Sequence, residues 1–162
     1  MKRTPILNAK IGETNFSGLD FTGYNIYCTR SFMLFVDDPE LLERWREEGV
    51  EIYEGANSRW WTVIHLPDND EICRVQTKFR GEEPEILDPI SYQLLDICKI
   101  SRAELVINEY HWSSHGRTGV KLYLVKGTFT INQQVNASDV FGFFNRRKKA
   151  IDKYGKFTIK EK

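Results

Sequence analysis

From Ser31 to Val36 the chain runs almost uninterruptedly apolar and aromatic over a length that suits a buried strand. Asp37-Asp38-Pro39-Glu40 then supplies an N-cap residue, an early-turn proline and an acidic first turn. Leu41, Leu42 and Trp45 follow at helical spacing until Gly49, which predicts a helix over 38–48. At Val50 the period changes to two. Strands are expected at 50–54, 58–66 and 71–79, the last two joined by the turn Pro67-Asp68-Asn69-Asp70 as a meander. Within 71–79, Cys73, Val75 and Phe79 alternate with Arg74, Gln76 and Lys78, so one face packs inward and the other offers two cations and an amide. An acidic, proline-bounded link from Gly81 to Pro89 leads to Ile90, Leu94, Leu95 and Cys98, whose spacing predicts a short helix over 90–98.

Two further strands are expected at 102–112 and 119–131, forming a hairpin about the polar turn Ser113 to Thr118. Val120, Leu122 and Leu124 share one face of the latter, Lys121, Tyr123 and Val125 the other, and Gly127 marks a bulge that resets the register for Phe129 and Ile131. Upstream, the start is polar and basic, and the glycine-punctuated segment 12–24 reads as loop. Downstream, Asn136 to Phe144 reads as a short helix capped by Ser138, and the tail from Asn145 is basic and weakly patterned. About five period-two segments with only short helical interruptions predict a mainly β domain. The two hairpins and the 31–36 strand are expected to close into one small barrel, with the 38–48 helix on its outside or end.

Composition fits this expectation. At 162 residues, 41% hydrophobic and 28% charged, the chain suits one globular domain spanning 1–162 without disulfide or metal staples. No apolar run reaches the length of a membrane span, and Met1-Lys2-Arg3-Thr4-Pro5 leads into no signal-peptide core, so a cytoplasmic protein without membrane association is expected. Cys28, Cys73 and Cys98 are odd in number, widely spaced and set among apolar neighbours, as reduced buried thiols would be. The formal net charge of zero conceals a segregation: residues 1–36 carry +2, 37–104 carry −9 and 105–162 carry +7. If that segregation survives folding, the domain presents one cationic face to a polyanion.

The aromatic residues bring chemistry to that face. A single-strand binder needs cations for phosphates and flat rings for unstacked bases. Arg59-Trp60-Trp61, Lys78-Phe79-Arg80, Tyr110-His111-Trp112 and Lys121-Leu122-Tyr123 interleave the two. Adjacent tryptophans on a regular strand face opposite ways, so one of Trp60 and Trp61 faces solvent or covers a second apolar layer. Trp60 or Trp61, Tyr110, Trp112 and Tyr123 are the candidate stacking surfaces, and Arg59, Arg74, Lys78, Arg117 and Lys121 the candidate phosphate contacts. Phosphate-loop, dinucleotide, nucleophile-elbow and H-E-x-x-H motifs are all missing. His111 and His115 straddle a strand-to-turn boundary without a cysteine pair, and no metal or cofactor is expected. Asp68, Glu71 and Lys78 faintly follow the acid-acid-lysine layout of a divalent-metal nuclease, but a polar turn and an outward cationic stripe account for the same residues.

Several strings, taken in order, resemble a family of tailed-phage single-stranded DNA-binding proteins with an OB-like barrel. They are Asn15-Phe16-Ser17-Gly18, Ser31-Phe32-Met33-Leu34-Phe35-Val36 leading into Asp38-Pro39-Glu40-Leu41, Glu47-Glu48-Gly49-Val50, Glu104-Leu105-Val106-Ile107-Asn108-Glu109-Tyr110-His111-Trp112 and Gly119-Val120-Lys121-Leu122-Tyr123-Leu124. The resemblance implies a five-stranded, partly open OB-like barrel; with the residue reading, this gives an OB-like core over about 14–132 with two or three short helices, followed by a basic C-terminal extension over about 145–162. It also implies a sheet face and loops that cradle single-stranded DNA in phage replication or recombination, without catalysis. Phage and bacterial proteins of this function often end in an acidic tail that recruits replication partners. Here Arg146-Arg147-Lys148-Lys149 and the ending are basic, so recruitment of phage replication proteins through the tail is not implied. Homo-oligomerisation is left open. The rival readings are a phage protein-interaction module or inhibitor of a host or defence protein, in which the acidic middle mimics nucleic acid, and, third, the nuclease.

Overall fold

A computed structural model describes residues 2–18, 29–67, 73–79, 82–87 and 91–131. Its elements in chain order are β1 (Lys2–Asn15), β2 (Ser31–Phe35), α1 (Pro39–Glu48), β3 (Tyr53–Glu54), β4 (Trp60–His65), β5 (Arg74–Phe79), β6 (Glu85–Ile86), β7 (Ile100–Ser114) and β8 (Arg117–Ile131), with 3-10 turns at Ala56–Ser58 and Ser91–Asp96. The strands form one sheet in the order β3-β4-β2-β1-β7-β8-β5-β6, and β4 also reaches β8. Strands β1, β2, β4, β8 and β7 therefore close on themselves. The closing contact is a parallel pair of His65 with Tyr123, which makes this a partly open, OB-like five-stranded barrel.

The barrel is filled by the alternate residues of its strands. Phe16, at the end of β1, stacks on Phe32 with ring centroids 5.6 Å apart and meets Phe129 edge-on at 5.3 Å. Leu34, Ile64, Ala103, Leu105, Ile107, Leu122 and Leu124 pack in the same core. The Asp96 carboxylate ties the 91–96 turn to the end of β1 by accepting from Phe16 N at 2.7 Å and Ser17 N at 2.9 Å. Helix α1 begins where expected: Asp38 Oδ1 accepts from Glu40 N at 3.1 Å, and Pro39 opens the first turn. It stops at Gly49, whose φ of 96° is a left-handed cap that few other residues would adopt. Trp45 anchors the helix to the barrel with none of its surface exposed.

Strand β2, helix α1 and the β7–β8 hairpin lie where the sequence places them, and Phe129 and Ile131 return to the core as expected. The register break lies at Val125, where Leu124 pairs with Ile107 but Lys126 with Val106, and not at Gly127 itself. Residues 2–15 form a long strand where a polar start and a loop from residue 12 were expected, because β1 is held by pairing with β2 and β7 rather than by its own alternation. The segment 50–54 is strand only at Tyr53–Glu54. Strands β4 and β5 do not form a meander: both run parallel to β8 and pair with it in succession, so β8 has taken the hydrogen bonds a hairpin would use. The segment 90–98 is a 3-10 turn over 91–96. The hairpin turn is also tighter than expected, since His115 and Gly116 have φ of 52° and 77°, the signature of a two-residue turn with the twist of the flanking strands. The expected helix over 136–144, the basic extension and Cys28 lie outside the described residues.

Candidate nucleic-acid interface

Strand β8 is the spine of the site. Along one edge it meets Val50 at Val120, His65 at Tyr123 and then all of β5; along the other it pairs with β7. Directly paired residues share a face, so the outward side of the hairpin carries Trp112 beside Gly119, Tyr110 beside Lys121 and Asn108 beside Tyr123. Near its N-terminal end, β4 is not paired with β8. The segment after α1 fills the gap, with Val120 N donating to Gly49 O at 3.4 Å and Thr62 Oγ1 donating to Glu51 O at 2.8 Å. The result is a groove of about 1030 Å³ lined by this segment, β4 and the β7–β8 hairpin.

Aromatic faces line this groove. Tyr110 is 47% exposed, Trp112 37% and Tyr53 41%. The Tyr110 and Tyr123 centroids lie 6.3 Å apart and those of His65 and Tyr123 6.0 Å apart, while Tyr53 lies on Trp61 at 4.6 Å. Lys121 Nζ sits 5.5 Å from the Tyr123 centroid, within cation–π range, and Arg117 stands exposed at the hairpin tip. The Trp112 ring lies flat over Gly119, where an added Cβ would come within 2.7 Å of it. Glu51 is the acid on the wall, and its carboxylate accepts from the Tyr53 hydroxyl at 2.8 Å. Burial, and then the nearby charge of Lys121, lower the His65 pKa to about 4, so the ring is neutral at pH 7. His65 Nδ1 is buried without a hydrogen-bond partner among the described residues.

Of the candidate residues, Tyr110, Trp112, Arg117, Lys121 and Tyr123 come together in the groove, with Trp61 behind Tyr53 at its edge. Trp60 faces the other way, beneath the Arg46 guanidinium at 4.0 Å. Arg59 is bound within the fold: its guanidinium meets Asp37 through two hydrogen bonds of 3.2 and 3.0 Å and stacks on Phe35 at 3.7 Å. Arg74 and Lys78 are on β5, beside the distal half of β8. Tyr53 and His65 were not among the candidates. His65 was within reach of the sequence, since it shares the period-two face of Trp61 and Val63.

A second polar cluster sits behind the groove. Glu109 takes an inward position on β7 with none of its surface exposed, and Arg44 Nη1 meets its carboxylate at 3.0 Å while Thr4 also donates to it. Burial alone would raise this carboxyl, but the hydrogen bonds it accepts, those from Thr4 and Arg44 among them, outweigh it and hold the pKa at about 2. Ligand atoms of Glu48, Glu109 and His111 lie within 4.8 Å of one another, close enough to share a metal ion. The Arg44 guanidinium, bonded to both carboxylates, already supplies the positive charge there.

No protein-family model matches the chain, and no curated protein matches its sequence. Among solved structures, the single-stranded DNA-binding protein from bacteriophage Enc34 superposes with a TM-score of 0.54 at 12% identity, covering 86% of this chain and 89% of that one. The structure of the same phage protein in complex with ssDNA gives a TM-score of 0.56 at 11% identity, covering 82% and 88%. With identity this low the likeness is one of architecture: the chain shares its fold, over most of its length, with a phage single-stranded DNA-binding protein.

Proposed function

We propose that the protein binds single-stranded DNA with little sequence preference and acts as a binding module rather than a catalyst. The observation that carries this reading is the groove itself, in which Tyr110, Trp112, Tyr123 and Tyr53, the last backed by Trp61, offer ring faces next to Lys121 and Arg117. Every base has a π-face, so such a platform is tolerant of sequence, and each stacked base contributes on the order of 1–3 kcal/mol. Phosphates pair with Lys121 and Arg117, and the neutral His65 leaves room for a base edge rather than adding charge. The fold shared with a phage protein solved in complex with ssDNA supports the same reading and suggests a role in phage replication or recombination, in the host cytoplasm and alongside phage replication proteins.

A fluorescence titration with oligo-dT at low salt and micromolar protein tests it. Trp112 lines the groove and is placed to be quenched, whereas Trp45 is buried. Strong quenching that is much reduced in Trp112→Phe is the expected result, and an unchanged spectrum would overturn the reading.

A further inference from the structure

The outward face of the β7–β8–β5 sheet continues past the groove. Because Val125 is the extra residue at the register break, Lys126 returns to the outward face, opposite Val106 on β7 and Arg74 on β5. Beyond it Thr128 lies between Glu104 and Gln76 and donates to Gln76 Oε1 at 3.0 Å, and Thr130 lies between Arg102 and Lys78. This stretch carries four cations, Arg74, Lys78, Arg102 and Lys126, against one acid, Glu104. It carries no aromatic side chain. None of the four cations has an ion-pair partner among the described residues, in contrast to Arg59 on Asp37 and Arg44 on Glu109.

We infer that this row is a second DNA-contacting segment, one that holds only the phosphate backbone of the strand as it leaves the aromatic groove. The inference rests on the proposed function and extends it: Lys126 and Arg102 join Arg74 and Lys78 as phosphate contacts, and the site has a stacking half and an electrostatic half. At about 3.3 Å per residue, Lys126 lies about 10 Å and Thr130 about 23 Å beyond Tyr123 along β8. A short oligonucleotide therefore occupies the groove alone, and only a longer one reaches the row. Because the row has no ring, occupying it adds salt dependence without adding fluorescence quenching.

Binding of a dT trimer, too short to reach past the groove, and of oligo-dT of about 15 nucleotides, near the upper end of the usual range for such barrels, is measured by tryptophan quenching over a salt series. The wild type is compared with Arg74→Ser/Arg102→Ser/Lys126→Ser and with Glu104→Gln, all at exposed positions and each checked for folding by circular dichroism. The triple variant is expected to bind the short oligomer like wild type and the long one at least about tenfold more weakly at low salt. Its salt slope on the long oligomer should fall by about 0.7 for each lost contact, with the same quenching at saturation. Glu104→Gln should bind the long oligomer more tightly and the short one unchanged. If the short oligomer binds the wild type but the long one gives the same slope in wild type and triple variant, the second segment does not exist. Equal weakening on both lengths also overturns it, because the row would then belong to the groove. Absence of binding to either length by the wild type would instead defeat the proposed function.

Discussion

Tyr123 and His65 meet where β4 closes on β8, and Lys121 faces the same groove one pleat away. The chemistry of these three side chains is therefore coupled. Part of what lowers the His65 pKa to about 4 is the Lys121 charge, so a phosphate arriving at Lys121 cancels that repulsion and the His65 pKa should rise on binding. A pKa higher in the complex than in the free protein means proton uptake, so affinity should increase as pH falls through the pKa of the bound form. An NMR titration of the His65 ring with and without oligo-dT checks this; identical pKa values would place the phosphates elsewhere. Truncation separates the two roles. Tyr123→Ala should weaken binding with the salt slope nearly unchanged, whereas Lys121→Ala should flatten the slope by about 0.7. Sequence alone required Trp60 and Trp61 to face apart. Choosing between them needed Arg46 from α1 on one side and Tyr53 on the other.

At the scale of the element, β7 and β8 were readable because their alternation is regular, with Ala103, Leu105 and Ile107 inward against Leu122 and Leu124. Glu109 breaks that pattern, a charge at an inward position, and Arg44 explains it. Glu109→Ala takes from the Arg44 guanidinium its buried partner and leaves it Glu48 and Thr4. Since Arg44 keeps 30% of its side-chain surface in water and its contact with Glu48, the expected loss is about 2 kcal/mol, below the range for a buried charge left wholly unpaired. Urea denaturation checks it, and the double variant Arg44→Met/Glu109→Leu should recover much of the loss; an unaffected midpoint in Glu109→Ala would mean that the pair does not hold α1 to the barrel. The hairpin face has its own sensitive point. Gly119→Ala must push Trp112 off its seat, so it should reduce tryptophan quenching by oligo-dT more than it reduces stability, and a variant with wild-type quenching would remove Trp112 from the platform.

The whole molecule should feel acid through its buried ionisable groups. His65 has a folded pKa below its unfolded value of about 6.5, so its contribution to stability is complete above pH 6.5 and is lost as pH falls toward 4. Glu109, held at about 2, adds a further loss below about pH 4.5. Asp96 acts oppositely, since burial raises its pKa despite the hydrogen bonds from Phe16 and Ser17. Thermal melts should therefore show Tm falling from pH 6.5 to 4, and His65→Gln should flatten that fall; a variant that keeps the full fall would show that other groups carry it. Barrel closure is the other whole-molecule property. It depends on β8 offering one edge in turn to Val50, β4 and β5, pairings between residues far apart in sequence.

By itself the sequence determined what local rules can decide. Caps and spacing defined α1, alternation defined β2 and the β7–β8 hairpin, and aromatic residues interleaved with cations pointed to Tyr110, Trp112, Lys121 and Tyr123. Tertiary structure decided the rest, because it depends on partners that no local window contains. Strand β1 lacks a pattern of its own and exists through β2 and β7. Strands β4 and β5 lie beside β8, not each other, because parallel pairing with β8 leaves no edge for a hairpin. Arg59 lies beside the tryptophans in sequence, but Asp37 and Phe35 hold it within the fold, while Tyr53 and His65 enter the groove because the segment after α1 and the end of β4 converge on β8.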